Sequence, residues 1–260
     1  MPTRLRVDLA GYHHVINRGV NRCLVFSHSN DKDMFLQIIN KTARIHKVIL
    51  HDYCLMDNHY HLLIETQKEN ISAFMRIVNA NYAQYYNKKY KRSGHLWQSR
   101  YKSRYISSQE YLYTLVKYIE YNPIEAKISK KVGEYTFTLA SCIFNLKKHY
   151  ACSDESLLIK EFDIQTLHDF LDSSITEDEL DYLKEQEKQK ILKSAEGIVV
   201  RQTKEFNEHF SDIKIKEDRN MAILNAYLDG YTQVKIAEYL KLSTSLISKI
   251  VKDGYSCTGV

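Results

Sequence analysis

Cys54-Leu55-Met56-Asp57-Asn58-His59-Tyr60-His61-Leu62-Leu63-Ile64 is an apolar run that carries two histidines one residue apart. Along a β-strand successive side chains alternate between faces, so His59 and His61 share one face and Tyr60 takes the other. Two neutral imidazoles about 7 Å apart along a strand can close on one small divalent ion when their side-chain torsions turn inward. The same spacing suits two ordinary histidines on a partly exposed sheet face, and the tripeptide alone does not choose between the readings.

Upstream of this run, Gly11-Tyr12-His13-His14-Val15-Ile16-Asn17-Arg18-Gly19-Val20 has the β-rich character of a first strand, with Gly19 and Asn21 as turn residues and Arg18 and Arg22 at its exit. Between Asp31 and Lys47, Met34, Leu36, Ile38, Ile39, Ala43 and Ile45 fit a helix, with Asn30 or Asp31 as its N-cap. Val48 to Thr66 supplies the apolar strands. Ile71 to Tyr90 reads as a second helix, stopped in the basic stretch that ends at Gly94.

Cations and aromatics interleave in His95-Leu96-Trp97-Gln98-Ser99-Arg100-Tyr101-Lys102-Ser103-Arg104-Tyr105, a β-like segment. Arg and Lys neutralise phosphates while Trp and Tyr offer flat faces to unstacked bases, although an amphipathic strand with a solvated basic face has the same composition. Ser107-Ser108-Gln109-Glu110 then opens a helix in the manner of a capping box, Tyr111 to Tyr121 continues it, and Pro123 is expected to end it. Tyr118 and Asn122, four apart, project from one side of that helix.

Beyond Phe144 the character changes. Asp154 to Lys193 is acidic and lysine-rich and reads as a helical connector. From Glu217 to Asp253, short helices joined by a tight turn, with Thr232 and Ser243 as N-caps, have the pattern of a helix-turn-helix. Leu246, Ile247, Ile250 and Val251 form the apolar stripe of the last helix. Ser245, Ser248, Lys249 and Lys252 then point outward, as residue types that reach base edges or phosphates. A generic three-helix interaction domain is the other reading. The organisation expected is thus a first domain over 1–150, a helical connector over 151–215 and a helix-turn-helix-like DNA-binding domain over 216–260.

The totals set limits on these readings. A chain of 260 residues, 27% of them charged, is long enough for one sizeable core and a second small domain. A net charge of +5 is mild, so a polyanionic partner has to be argued from where the cations cluster. Five cysteines, Cys23, Cys54, Cys142, Cys152 and Cys257, include no C-x-x-C pair and read as free thiols of a reducing compartment. No apolar run approaches a membrane span and the N-terminus lacks the apolar core of a signal peptide, so a cytoplasmic, nucleoid-associated protein is expected. With eight glycines in the chain, nothing has the form of a phosphate-cradling loop.

Four motifs in order, Tyr12-His13-His14-Val15-Ile16-Asn17-Arg18-Gly19, Met56-Asp57-Asn58-His59-Tyr60-His61-Leu62-Leu63, Gly94-His95-Leu96-Trp97-Gln98-Ser99-Arg100-Tyr101-Lys102-Ser103 and Tyr118-Ile119-Glu120-Tyr121-Asn122-Pro123, resemble those of single-tyrosine HUH transposases. More narrowly, the stretch from about Tyr12 to Ala140 resembles the REP-associated tyrosine transposases. That resemblance implies an α+β chain: a ferredoxin-like antiparallel sheet with packed helices, followed here by an α-helical C-terminal region. It further implies His59 and His61 as metal ligands, Tyr118 as nucleophile and Asn122 as third ligand, with Mg²⁺ or Mn²⁺ as the ion. The activity implied is cleavage and rejoining of single-stranded DNA beside hairpins, such as repetitive extragenic palindromes, through a 5′-phosphotyrosine. Arg18, Arg22, Arg100, Lys102 and Arg104 would then track the DNA backbone, Trp97 would stack a base, and the C-terminal helices would read duplex. Among His13, His14, His51 and His95 no general base is singled out. A monomer and a homodimer that exchanges its tyrosine helix are both compatible with the family. The competing reading, from a different class, is a noncatalytic hairpin- or duplex-binding regulator that keeps the HUH fold as a scaffold.

Overall fold

A computed structural model describes residues 8–258 apart from 148, 174, 195–196, 203, 212 and 214; over 187–202 and 254–258 only the backbone is described. The chain divides into two compact units, Met1–Leu183 and Lys184–Val260.

Six elements of the first unit follow in the order β1 (Gly11–Arg18), α1 (Ser29–His46), β2 (Val48–Leu55), β3 (His59–Thr66), α2 (Ile71–Lys89) and β4 (Lys102–Tyr105). The strands form one antiparallel sheet in the order β2-β3-β1-β4, the ferredoxin-like βαββαβ arrangement. The apolar run around the histidines is a hairpin and not one strand: β2 ends at Leu55 and β3 begins at His59. Backbone bonds hold the turn, with Val25 and Phe26 N–H donating to the Asp57 carbonyl and Gly19 N–H to that of Asn58. Within β3 the alternation holds. Tyr60 faces α1 and α2, its ring 4.8 Å from that of Phe35 and its hydroxyl donating to Asn79 Oδ1, while His59 and His61 face the other way.

On the histidine side lies α3 (Gln109–Glu125), capped by Ser108, whose hydroxyl accepts from Tyr111 N–H. Pro123 does not end α3, which runs on to Glu125. Proline removes only its own N–H bond, and here the last turn closes through Ala126 N–H to Asn122 O and Ile128 N–H to Pro123 O.

Two further boundaries differ from expectation. Helix α1 starts at Ser29 with His28 as N-cap. Asp31 lies inside its first turn, where the carboxylate reaches back to the N–H groups of Ser27 and His28. Helix α2 ends at Lys89, within a residue of where the sequence puts it, and Lys91 just beyond takes the left-handed conformation at φ 49°. Of the segment 95–105 only Lys102–Tyr105 is a strand, with an isolated bridge between Trp97 and Gly19.

The stretch after 150 is not a free connector. Beyond α4 (Leu139–Phe144), α5 (Leu157–Lys160) and α6 (Ile164–Asp172) bury Leu157, Leu158, Leu167 and Leu171 in the same core as the sheet. Ser156 Oγ donates to the His51 carbonyl, and Leu157 N–H donates to His51 Nδ1. The first unit therefore extends through the start of α7 (Glu177–Lys188) to Leu183, which joins that core.

In the second unit an antiparallel hairpin, β5 (Gln189–Ser194) and β6 (Gly197–Gln202), stands where helix was expected; Ile198, Val199 and Val200 are residues that favour strands. Helices α8 (Lys216–Leu228), α9 (Gln233–Leu240) and α10 (Thr244–Thr258) pack around Ile223, Ala226, Ile236, Ile247 and Val251. Thr232 caps α9 by accepting from Lys235 N–H, and Ser243 Oγ accepts from Leu246 N–H. Leu246, expected in the buried stripe, is 37% exposed. Ser245, Ser248, Lys249 and Lys252 are exposed.

Candidate active site

Alternation along β1 and β3 assembles the site. Directly paired residues of antiparallel strands lie on the same face, so the pairs Arg18–His59 and Ile16–His61 place Arg18 beside the histidines. The β1–β4 pairs Ile16–Lys102 and His14–Arg104 bring Lys102 and Arg104 to that same face. His59 and His61 have ring centroids 5.2 Å apart, nearly perpendicular.

Tyr118 comes to this face from α3. Its ring centroid lies 5.7 Å from that of His61 and 6.2 Å from that of His14, edge-on to both. One chain therefore brings the tyrosine and the histidine pair together. Asn122, one turn on, is 8% exposed, and its amide nitrogen donates 2.7 Å to the Tyr118 carbonyl; this leaves the amide oxygen as the group with acceptor capacity.

Two residues next to the pair went unassigned in the sequence. His14 Nε2 lies 3.0 Å from His61 Nδ1, the two rings stacked at 5.3 Å. Asn58 Oδ1 lies 2.6 Å from His59 Nδ1. For His14 a signal existed: period-two alternation puts it on the face of Arg18, yet only the strand pairing shows that this is also the face of His59 and His61. The other histidines considered as bases are placed elsewhere: His13 bonds the Leu9 carbonyl, His51 is held between Glu65 and Leu157 N–H, and His95 is exposed on the far side of the sheet.

Burial keeps the three imidazoles neutral. It lowers His14 to about 3, with Arg104 adding to the effect, and His59 to about 4, with Arg18 adding. His61 is held well below the usual imidazole range by burial, by its two histidine neighbours and by both arginines. Neutral rings next to fixed cations are ready to donate lone pairs and to receive an anion such as a phosphate.

Behind Tyr118 the helix is anchored by a buried carboxyl pair. Glu120 accepts from Ala140 N–H, and burial pushes it up to about 7; Asp52 is raised well above its ordinary value by burial and by the Glu120 charge. Asp52 Oδ2 and Glu120 Oε2 are both buried without a hydrogen-bond partner.

The remaining sequence candidates lie off this face. Arg22 sits in the exposed turn after β1, where it and Asn21 both take positive φ, 58° and 50°. Trp97 and Arg100 line a cleft of about 720 Å³ on the α2 side of the sheet, together with Asn17, Met75, Arg76 and Tyr101. The Trp97 ring packs 5.5 Å from Tyr60 and 6.0 Å from Tyr82, and its Nε1–H donates to the Asn79 carbonyl, so the indole is part of the core. Ser245, Ser248, Lys249 and Lys252 belong to the second unit.

Residues 9–122, which span the whole βαββαβ sheet and Tyr118, match the family described as IS200-like transposases. The match covers less than half of the chain. Among solved structures, a REP-associated tyrosine transposase bound to a REP hairpin is 18% identical, with 53% of this chain and 82% of that chain covered and a TM-score of 0.45. A transposase from Deinococcus radiodurans R1 is also 18% identical, covering 50% of this chain and 94% of that one, with a TM-score of 0.33. No curated protein matches the chain. The family match ends at Asn122, whereas the structural unit continues for some sixty residues more. Among the described residues no helix is long and apolar enough to cross a membrane.

Proposed function

We propose that the chain is a metal-dependent single-strand DNA transposase, which cuts and rejoins DNA beside hairpins through a 5′-phosphotyrosine. The observation that carries this reading is Tyr118, edge-on to His61 at 5.7 Å within one chain.

His59, His61 and Asn122 are the residues to hold a divalent ion. Two imidazoles on one ion, each nitrogen about 2.1 Å from it and its ring centre about 1 Å further, are roughly 4.5–5.2 Å apart between centroids at ordinary coordination angles. The observed 5.2 Å fits. Two nitrogens and an amide oxygen suit Mn²⁺ as well as Mg²⁺. Bound there, such an ion supplies Lewis-acid polarisation of a scissile phosphate.

The chain's own groups do the rest. Arg18, Lys102 and Arg104, on the histidine face, attract and orient the phosphodiester. Tyr118 Oη attacks phosphorus in line: the new P–O bond forms as the bond to the 3′ oxygen breaks, the phenol loses its proton to solvent, and the leaving 3′ oxygen takes one from solvent to depart as a hydroxyl. The phosphodiester energy stays in the tyrosyl link, so a second 3′-hydroxyl can reverse the step and join a different strand. Arg22 extends the basic track at the adjoining turn. Arg100 and the exposed part of Trp97 border the cleft that would receive an unpaired base. Ser245, Ser248, Lys249 and Lys252 of α10 present a polar face suited to duplex DNA, as in a helix-turn-helix.

The test is incubation of the full chain with Mg²⁺ or Mn²⁺ and short hairpin oligonucleotides taken from DNA flanking its own gene, resolved on denaturing gels. A covalent protein–DNA band is expected. Tight hairpin binding without any such band, in either metal, would favour the noncatalytic regulator.

A further inference from the structure

We propose that Asn58 and His14 are positioning residues that fix the tautomers of His59 and His61, so that both rings carry their proton on Nδ1 and offer the Nε2 lone pair. The inference rests on the metal-binding reading for its purpose, but its content concerns protons in the metal-free chain.

A neutral imidazole has one N–H and one lone pair, and the partner of one nitrogen decides the role of the other. At His59 the partner is an amide oxygen, which only accepts; Nδ1 at 2.6 Å must therefore donate, and Nε2 keeps its lone pair. The orientation of the Asn58 amide is consistent with this, since its nitrogen is directed to the Arg22 carbonyl at 3.5 Å. Asn58 is itself fixed at the backbone, its carbonyl accepting from Gly19 N–H at 2.9 Å. The β1 exit and the β2–β3 turn thus combine to hold one acceptor against one ring nitrogen.

His61 is held by a second ring. Its Nδ1 and His14 Nε2 are 3.0 Å apart, and one of the two must donate. If His14 donates, the His61 proton sits on Nε2 and that nitrogen cannot bind an ion. If His61 donates, its Nε2 is open and His14 carries its own proton on Nδ1. Only the second arrangement is compatible with an ion shared by the two histidines, so His14 acts as the acceptor that makes His61 a ligand. The side chain comes from the neighbouring strand: His14 pairs with Leu63, which makes His61 its diagonal neighbour on the same face. Partners of this kind, which bond the far nitrogen of a ligating histidine, typically change metal affinity 10–100-fold when removed.

Long-range ¹H–¹⁵N NMR of the imidazoles in the metal-free full chain reads the tautomers directly. The expected spectrum has both His59 and His61 as Nδ1–H; an Nε2–H tautomer for either ring overturns the assignment. Mn²⁺ titration followed by electron paramagnetic resonance gives the second reading. Asn58→Leu and His14→Phe, which keep bulk but remove the acceptor, are expected to weaken Mn²⁺ binding about 10–100-fold. Asn58→Asp and His14→Gln, which restore an acceptor oxygen, are expected to bind within a few-fold of wild type. Equal losses in all four variants would mean that packing and not proton placement is at work, which overturns the proposal. Wild type that binds no Mn²⁺ overturns the metal reading instead, and the NMR spectrum still decides whether the tautomers are set as described.

Discussion

Tyr118 stands edge-on to His61 at 5.7 Å, a nucleophile candidate from a helix and a ligand candidate from a strand, joined in one chain. The contact follows from two independent patterns, the four-residue turn of α3 and the two-residue alternation of β3, meeting across one sheet face. Tyr118→Phe keeps the ring and its packing and removes only the oxygen. Adduct formation with hairpin DNA is expected to fall below detection, while hairpin affinity and thermal midpoint stay close to wild type. An adduct persisting in the variant would assign the chemistry to another side chain, Tyr121 being the nearest rival in sequence.

Asp31 ties α1 to α2, and its effect on stability has a definite pH sign. Its fully buried carboxylate accepts from Ser27 and His28 N–H, from Lys89 Nζ at 2.6 Å and from the hydroxyls of Tyr85 and Tyr90. Burial alone pushes this carboxyl up, but the bonds from Lys89, Tyr90, the His28 N–H and Tyr85 outweigh it and hold it below its ordinary value. A carboxylate lowered in the folded state stabilises above its unfolded pKa of about 3.9, and that contribution is lost as pH falls through the folded value. Asp31→Asn is expected to cost about 2–3 kcal/mol at pH 7 by urea denaturation, with the gap to wild type closing as pH drops below about 4. A gap that is constant from pH 7 to pH 3 would refute the assignment.

How much of this was legible in the sequence depends on the range over which each signal acts. Helix and strand periods are local, so β1, α1, α2 and α3 fall close to where the apolar spacing of Ile38, Phe74 and Ile119 puts them. Caps and stops depend on one or two hydrogen bonds, and there the reading erred: Asp31 acts from inside the helix, and Pro123 sits within α3 because the turn beyond it closes through Asn122 and Pro123 carbonyls. The placement of 151–183 was not legible, since Leu157 and Leu171 look the same whether they bury in a connector or against the sheet. His14 shows the limit most clearly. Its face is readable from β1 alone, but its neighbour His61 is fixed by strand register, a relation between residues 47 apart.

Trp97 has a packing role that composition alone does not reveal. Interleaved with arginines, it reads as a platform for a base, yet its indole packs on Tyr60 and Tyr82 and bonds the Asn79 carbonyl. Trp97→Ala is therefore expected to lower stability by about 3 kcal/mol, from lost packing and a cavity behind β3. Calorimetry measures this without DNA. A variant as stable as wild type, but with weakened DNA binding, would restore the stacking role in full.

Arg18 and Arg104 flank the histidines as cross-strand neighbours, Arg18 opposite His59 and Arg104 opposite His14, whereas Arg100 lines the cleft on the other side of the sheet. Each phosphate contact made by a cation on single-stranded DNA contributes about 0.7 to the slope of log affinity against log salt. Arg18→Ala and Arg104→Ala should each reduce that slope by about this amount. They should also slow adduct formation at saturating DNA, because the same guanidinium orients the phosphate that Tyr118 attacks. Arg100→Ala should lower affinity without slowing adduct formation once DNA is saturating. Fluorescence anisotropy across a salt series, paired with single-turnover adduct kinetics, separates the two classes. If all three variants lose affinity alone and none loses rate, the cations of the histidine face serve only to hold the strand.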